Sequence, residues 1–169
     1  MNVAGKENWF IRWMYGRMIH YNQKKYWKRR KAVIDPKSRV PKLIRLMWLR
    51  YIKKCDAYNC ASLGTNLGTG AQFKTPPFLP HNLNGIIIGY KVSIGENCTI
   101  CQRVTIQDEG DTVIGDNVFI GAGAFIAKGV KIGNNVIIGA NAVVTHDLPD
   151  NVTAVGVPAR IITPDQNNN

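Results

Sequence analysis

Acidic side chains are scarce in the first third of this 169-residue chain. Residues 1–60 hold three of them, Glu7, Asp35 and Asp56, against sixteen Lys and Arg, a balance of +13. Residues 61–169 hold eight acids and six bases, a balance of −2, and the whole chain carries +11. Two parts with different surfaces therefore meet near residue 60. Long apolar runs are missing too. No segment approaches the length that would span a bilayer. The opening stretch MNVAGKENWFIRWMYGRMIHYNQKK is broken by charges throughout and contains no signal-peptide core. The expectation is a cytoplasmic protein whose basic part is free to sit at the inner face of a membrane. The apolar fraction, 45%, is ordinary for a folded chain and excludes general disorder.

Cysteine is sparse: Cys55, Cys60, Cys98 and Cys101. The C-x-x-C at 98–101 does not combine with Cys55 and Cys60 into a zinc-knuckle spacing. We expect reduced thiols packed as small apolar side chains, and no metal. Histidine is rarer: His20, His81 and His146. A zinc site held by histidines needs several converging imidazoles, and two of these three fall outside the repeat described next. No Gly-rich phosphate loop or dinucleotide fingerprint precedes a helix, which argues against nucleotide hydrolysis. No known nucleic-acid module occurs, so nucleic acid is not an expected partner.

What is present is a period of six. Units start at Ile88, Ile94, Ile100, Ile106, Ile114, Ile120, Ile126, Ile132, Ile138 and Val144, and glycine is second in six of the ten. The unit at 106, IQDEGDTV, has two extra residues. The fifth position is small or β-branched, as at Val92, Cys98, Val104, Ala124 and Ala142. Six is neither a helical nor an alternating-strand period. It suits a two-residue strand plus a corner, with the leading aliphatic inside and a small neighbour beside it. Three units close one triangular coil, and coils stack so that like side chains meet. Cys98 takes a small inward slot and Cys101 a glycine slot.

This pattern resembles the hexapeptide-repeat acyltransferases. The resemblance implies a mainly β chain: a left-handed parallel β-helix over residues 60–162, preceded by a basic α-helical arm (1–59) and followed by a polar tail (163–169). Within that superfamily, LPHNLNGIIIGYKVSIGENCTICQRVTI resembles the serine acetyltransferases and the O-acetyltransferases of bacterial surface polysaccharides. The closing segment GANAVVTHDLPDNVTAVGVPARII is similar to the end common to both. The family implies acetyl-CoA as acyl donor and a homotrimer with sites between subunits.

Acyl transfer to a hydroxyl needs a base, and histidine titrates near the working pH. The resemblance assigns that role to His81, which precedes Gly85-Ile86-Ile87-Ile88-Gly89. His20 and His146 are expected at the surface. Three departures from the serine enzymes stand around His81. Pro80 replaces the aspartate that precedes the histidine. The loop after Ile106 is too short to carry the second histidine, and Asp111 falls at its place. The basic residue beside that histidine is absent. The expected acceptor is therefore a sugar hydroxyl of a surface polysaccharide or its precursor, with Asn82, Asn84 and Asp111 as substrate contacts. L-Serine is the alternative acceptor, and a non-catalytic scaffold the alternative of another class. The partner orienting His81 stays open between Asn66, Asp56 and Asp108. For the donor, the resemblance points to Thr105, Gly121-Ala122-Gly123 and Gly139-Ala140 along a stack of corners, and to Arg160 for a phosphate. Lys128 and Lys131 are weaker phosphate contacts.

The arm reads as two helices broken at Asp35–Pro41 by Pro36 and Pro41. Apolar residues surround the second helix from Leu43 to Ile52, with Lys42, Arg45, Arg50, Lys53 and Lys54 as its charged complement. We expect this arm to pack on the β-helix and to present bases to an anionic membrane or glycan.

Overall fold

A computed structural model of the chain describes residues 21–162. His20 and the tail from 163 lie outside the described residues.

Among the described residues two helices come first: α1, Gln23–Ile34, and α2, Lys42–Tyr58. Asn22 caps α1, its Oδ1 accepting the Lys25 amide at 3.0 Å. Asp35 then folds the linker back, its Oδ1 accepting the Lys37 amide at 2.8 Å. Pro41 stands at the start of α2, where its missing N–H costs nothing.

The rest is a coil of strands two or three residues long, in three parallel faces. The first face stacks β1 (Ser62–Leu63), β5 (Ile87–Ile88), β8 (Thr105–Ile106), β11 (Phe125–Ile126) and β14 (Val143–Val144). The second stacks β4 (Gln72–Phe73), β6 (Ser93–Ile94), β9 (Val113–Ile114) and β12 (Lys131–Ile132). The third stacks β7 (Thr99–Ile100), β10 (Phe119–Ile120), β13 (Ile137–Ile138) and β15 (Thr153–Val155). Phe78 bridges onto Thr99 ahead of β7, and β16 (Arg160–Ile162) closes the third face antiparallel to β15. A short hairpin, β2 (Thr65–Asn66) with β3 (Thr69–Gly70), interrupts the first coil.

The register explains the period. Leu63 pairs with Ile88, Ile88 with Ile106, Ile106 with Ile126 and Ile126 with Val144, all buried. Each aliphatic so enclosed contributes roughly 2 kcal/mol of burial. The inward neighbours two places earlier, Val92, Cys98, Val104, Val118 and Ala124, are buried as well. In the long unit that slot belongs to Thr112, which is fully buried. Its hydroxyl donates to the Gln107 carbonyl at 2.8 Å and accepts the Gly129 amide at 3.0 Å, which ties the two extra residues into a tight loop.

Side-chain ladders hold the corner between the second and third faces. Asn97, Asn117, Asn135 and Asn151 all have φ between 54° and 62°, the left-handed region that asparagine tolerates best after glycine. Their amides link in series: Asn97 to Asn117 at 3.4 Å, Asn117 to Asn135 at 3.1 Å, Asn135 to Asn151 at 2.9 Å. Beside them Asp116, Asn134 and Asp150 each accept a backbone amide from the coil before, at 2.7–2.8 Å.

The open end of the first coil is closed by Arg30 of α1, only 2% exposed. Its Nη2 donates to the carbonyls of Leu63 at 2.7 Å and Ala71 at 2.8 Å, and its Nε to Thr65 Oγ1 at 2.9 Å. The guanidinium also lies 4.8 Å from the Phe73 ring centre and 5.4 Å from that of Trp27. Burial lowers its pKa to about 10, so it stays charged at neutral pH. Arg45, read from the sequence as part of a charged outer face, is buried instead. It donates to the Val33 carbonyl at 2.8 Å and the Asp35 carbonyl at 2.7 Å. Two bases of the arm thus satisfy carbonyls at a helix end and a coil end, which no apolar side chain could do.

Candidate functional site

The corner between the third and first faces has a different chemistry from the asparagine corner. In the first coil it is a wide turn, Leu79 to Gly85, that carries His81. Below it the same corner recurs as Cys101-Gln102-Arg103, then Gly121-Ala122-Gly123, then Gly139-Ala140-Asn141. Backbone hydrogen bonds stack the levels: Arg103 N to Asn84 O at 2.9 Å, Gly123 N to Gln102 O at 3.0 Å, Asn141 N to Ala122 O at 2.8 Å. One column therefore joins the His81 turn to both expected donor corners. The spacing of eighteen residues between Gly121 and Gly139 is one full coil.

Space along this column is set by glycine and alanine. A Cβ on Gly121 would lie 2.5 Å from the Ala140 amide nitrogen. Gly123 has φ of 71°, where side chains are strained. Ala122 is half-buried and Ala140 exposed, so these two levels are open, while Arg103 and Asn141 stand exposed on the same column. Thr105 sits just inside it on β8 and is half-buried. At the far end Gly156 O accepts Val143 N at 3.0 Å, and Ala159 N donates to Val143 O at 2.8 Å. This turn covers the last level, and Arg160 follows it, exposed, paired with Val155. The column thus runs from an imidazole to a guanidinium.

His81 itself is exposed. Asn82 beside it has φ of 57° and its amide donates to Leu79 O at 3.1 Å, while Asn84 is exposed. Among the described residues, none of the three suggested orienting side chains bonds to the imidazole. Asn66 is on β2 and accepts the Leu67 amide at 2.9 Å. Asp108 lies on the corner between the first and second faces and accepts the Tyr90 amide at 2.6 Å. Asp56 is buried in α2, with the Tyr26 hydroxyl donating to it at 2.7 Å. Burial raises the Asp56 pKa to about 6. Asp111, exposed with φ of 37°, shares the loop after Ile106 with Asp108, away from the His81 column. Lys128 also belongs there, ion-paired with Glu109 at 2.6 Å, and Lys131 is on the second face.

Both faces that flank the His81 column are apolar outward. On the third, Phe78, Phe119, Ile137 and Ile162 are exposed. On the first, Ile87 is exposed, with Phe125 and Val143 half-buried. The second face is more polar, showing Gln72, Ser93 and Lys131 beside an exposed Val113. Sequence reading of the inward positions did not register this contrast, although the outward residue precedes each aliphatic and is legible.

Residues 111–146 match the family described as bacterial transferase hexapeptide (six repeats). The repeats and the coil, with this match over part of the chain, give the fold of a left-handed parallel β-helix. Among its relatives are serine acetyltransferases. That of Staphylococcus xylosus is 40% identical over 108 residues, covering 60% of this chain and 50% of that protein. Soybean serine acetyltransferase complexed with serine superposes with a TM-score of 0.61 at 28% identity, covering 85% of this chain and 54% of that one. A serine acetyltransferase in complex with CoA superposes with a TM-score of 0.66 at 23% identity, covering 88% and 60%, a likeness of fold. The chain spans about half the length of the curated relatives it matches.

Proposed function

We propose that the protein is an acetyl-CoA-dependent O-acetyltransferase that uses the His81 column as its site. The observation that carries the reading is the continuity of that column, which brings one imidazole into line with two stacked small-residue corners. A pantetheine arm fits the levels at Gly121-Ala122 and Gly139-Ala140, where small residues leave backbone amides and carbonyls open. Arg160 at the far end suits a phosphate.

In the proposed reaction His81 takes the proton of the acceptor hydroxyl as its oxygen attacks the thioester carbonyl. The charge that forms on the carbonyl oxygen is held by backbone amides of the corner. The C–S bond then breaks, and the proton passes to the departing thiolate, giving the ester and CoA thiol. The exposed imidazole and the apolar flanks support a homotrimer. Packing the first and third faces of neighbouring subunits would bury those flanks and wall the column. A carboxylate or amide for His81 would then come from the neighbour.

Two acceptors have support. The relatives named serine acetyltransferase favour L-serine. Pro80, the short loop pinned by Thr112 and Asp111 favour a sugar hydroxyl, since they replace the residues that hold an amino acid in those enzymes. Release of CoA thiol from acetyl-CoA, with L-serine and a panel of sugars and polysaccharides, tests both. Release that depends on one acceptor class and vanishes in His81→Ala supports that class. No release and no CoA binding would leave a scaffold and overturn the proposal.

A further inference from the structure

We infer that the outer face of α2 docks on an anionic lipid surface. Burial of Arg45 and Ile52 fixes which way this helix points. Its other side leaves Leu43 72% and Met47 65% exposed, with Ile44 and Leu46 exposed next to them. Leu43, Leu46 and Met47 fall at i, i+3 and i+4, on one face of the first two turns. Lone exposed apolar residues are ordinary, but four together on one helix end are not.

The charge around this patch selects its occupant. Lys42, Arg50, Lys53 and Lys54 of α2 are exposed, as are Lys37 and Arg39 in the linker. Across the described part of the arm, residues 21–60, the one exposed acid is Asp35, because Asp56 is buried. A second copy of the same surface would set like charges against each other. An acidic glycan or a nucleic acid would satisfy the bases but give Leu43 and Met47 no apolar phase. An anionic bilayer offers both, with phosphate headgroups at the level of the lysines and acyl chains beneath. Among the described residues no helix is long and apolar enough to cross a membrane, so the contact is peripheral.

This inference does not depend on the acyl-transfer reading, and its test needs no activity. The full chain is floated with phosphatidylcholine vesicles and with vesicles that contain phosphatidylglycerol. Binding is expected to the second only, and to fall steeply as salt rises. Leu43→Glu with Met47→Glu, both at exposed positions, should reduce the bound fraction at least tenfold while leaving the circular dichroism spectrum and melting midpoint unchanged. Binding unaffected by that pair would overturn the inference. So would equal binding to neutral vesicles, or no binding to either. Self-association in sedimentation that the pair abolishes, without vesicle binding, would assign the patch to a second copy instead.

Discussion

The carbonyl of Asn84 accepts the amide of Arg103 at 2.9 Å. That bond hangs the His81 turn on the first regular level of its column, so the imidazole is placed by the coil and not by a free loop. If His81 is the base, His81→Ala should lower acetyl transfer by about 10² to 10⁴. The melting midpoint should stay within error, because the side chain is exposed. Steady-state rates for wild type and variant check this, and a rate close to wild type would remove His81 from the reaction.

Gly121→Ala tests the donor ridge. The added methyl would meet the Ala140 nitrogen at 2.5 Å and the Gly139 carbonyl carbon at 2.7 Å. Backbone must move to admit it. The expected result is an acetyl-CoA KM raised severalfold with a smaller change in kcat, together with a lower melting midpoint. An unchanged KM would place the donor elsewhere.

Arg30→Met should undo the junction between arm and coil. It leaves the Ala71 carbonyl without its donor and the Leu63 carbonyl with only the Thr65 hydroxyl at 3.3 Å. Unpaired buried acceptors of this kind cost about 1–3 kcal/mol each. The loss should appear in urea unfolding, and limited proteolysis should cut between α2 and β1 earlier than in wild type. Equal protection would mean that the aromatic contacts of Trp27 and Phe73, 4.9 Å between ring centres, suffice alone.

Asp56 gives a pH dependence of stability. Burial raises its pKa from 3.8 to about 6. The folded chain therefore binds this proton more tightly than the unfolded chain. Stability should fall as pH rises from the lower value through the higher one, by up to about 3 kcal/mol from this group. Asp56→Asn keeps an acceptor for the Tyr26 hydroxyl. It should be the more stable protein above about pH 6, with the advantage vanishing near the unfolded value. Chemical unfolding across that range decides the matter, and a difference that does not change with pH would refute it.

Asn117→Ala should cost about 1–2 kcal/mol, through two lost ladder bonds and a side chain held at φ of 57°. Asn117→Gly should cost less, because glycine accepts that backbone. Thermal midpoints of the pair separate the two causes.

The period of six determined the coil from sequence alone. It names the inward aliphatic of each unit, and the structure buries every one from Ile88 to Val144. The two helices and their break were equally legible, since Pro36 and Pro41 act locally. The motif around His81 singled out one imidazole by resemblance. Three matters needed the tertiary structure. Which corner each residue occupies depends on how the coils register, and this put Ala122 and Ala140 below His81 while sending Asp108, Asp111 and Lys128 to another edge. The first coil, before Ile88, lacks the regular spacing because a hairpin interrupts it. The directions of Arg30 and Arg45 were hidden as well. A charged residue reads as solvent-facing in sequence, and only the unpaired carbonyls at the end of the coil and of α1 supply the reason to bury it.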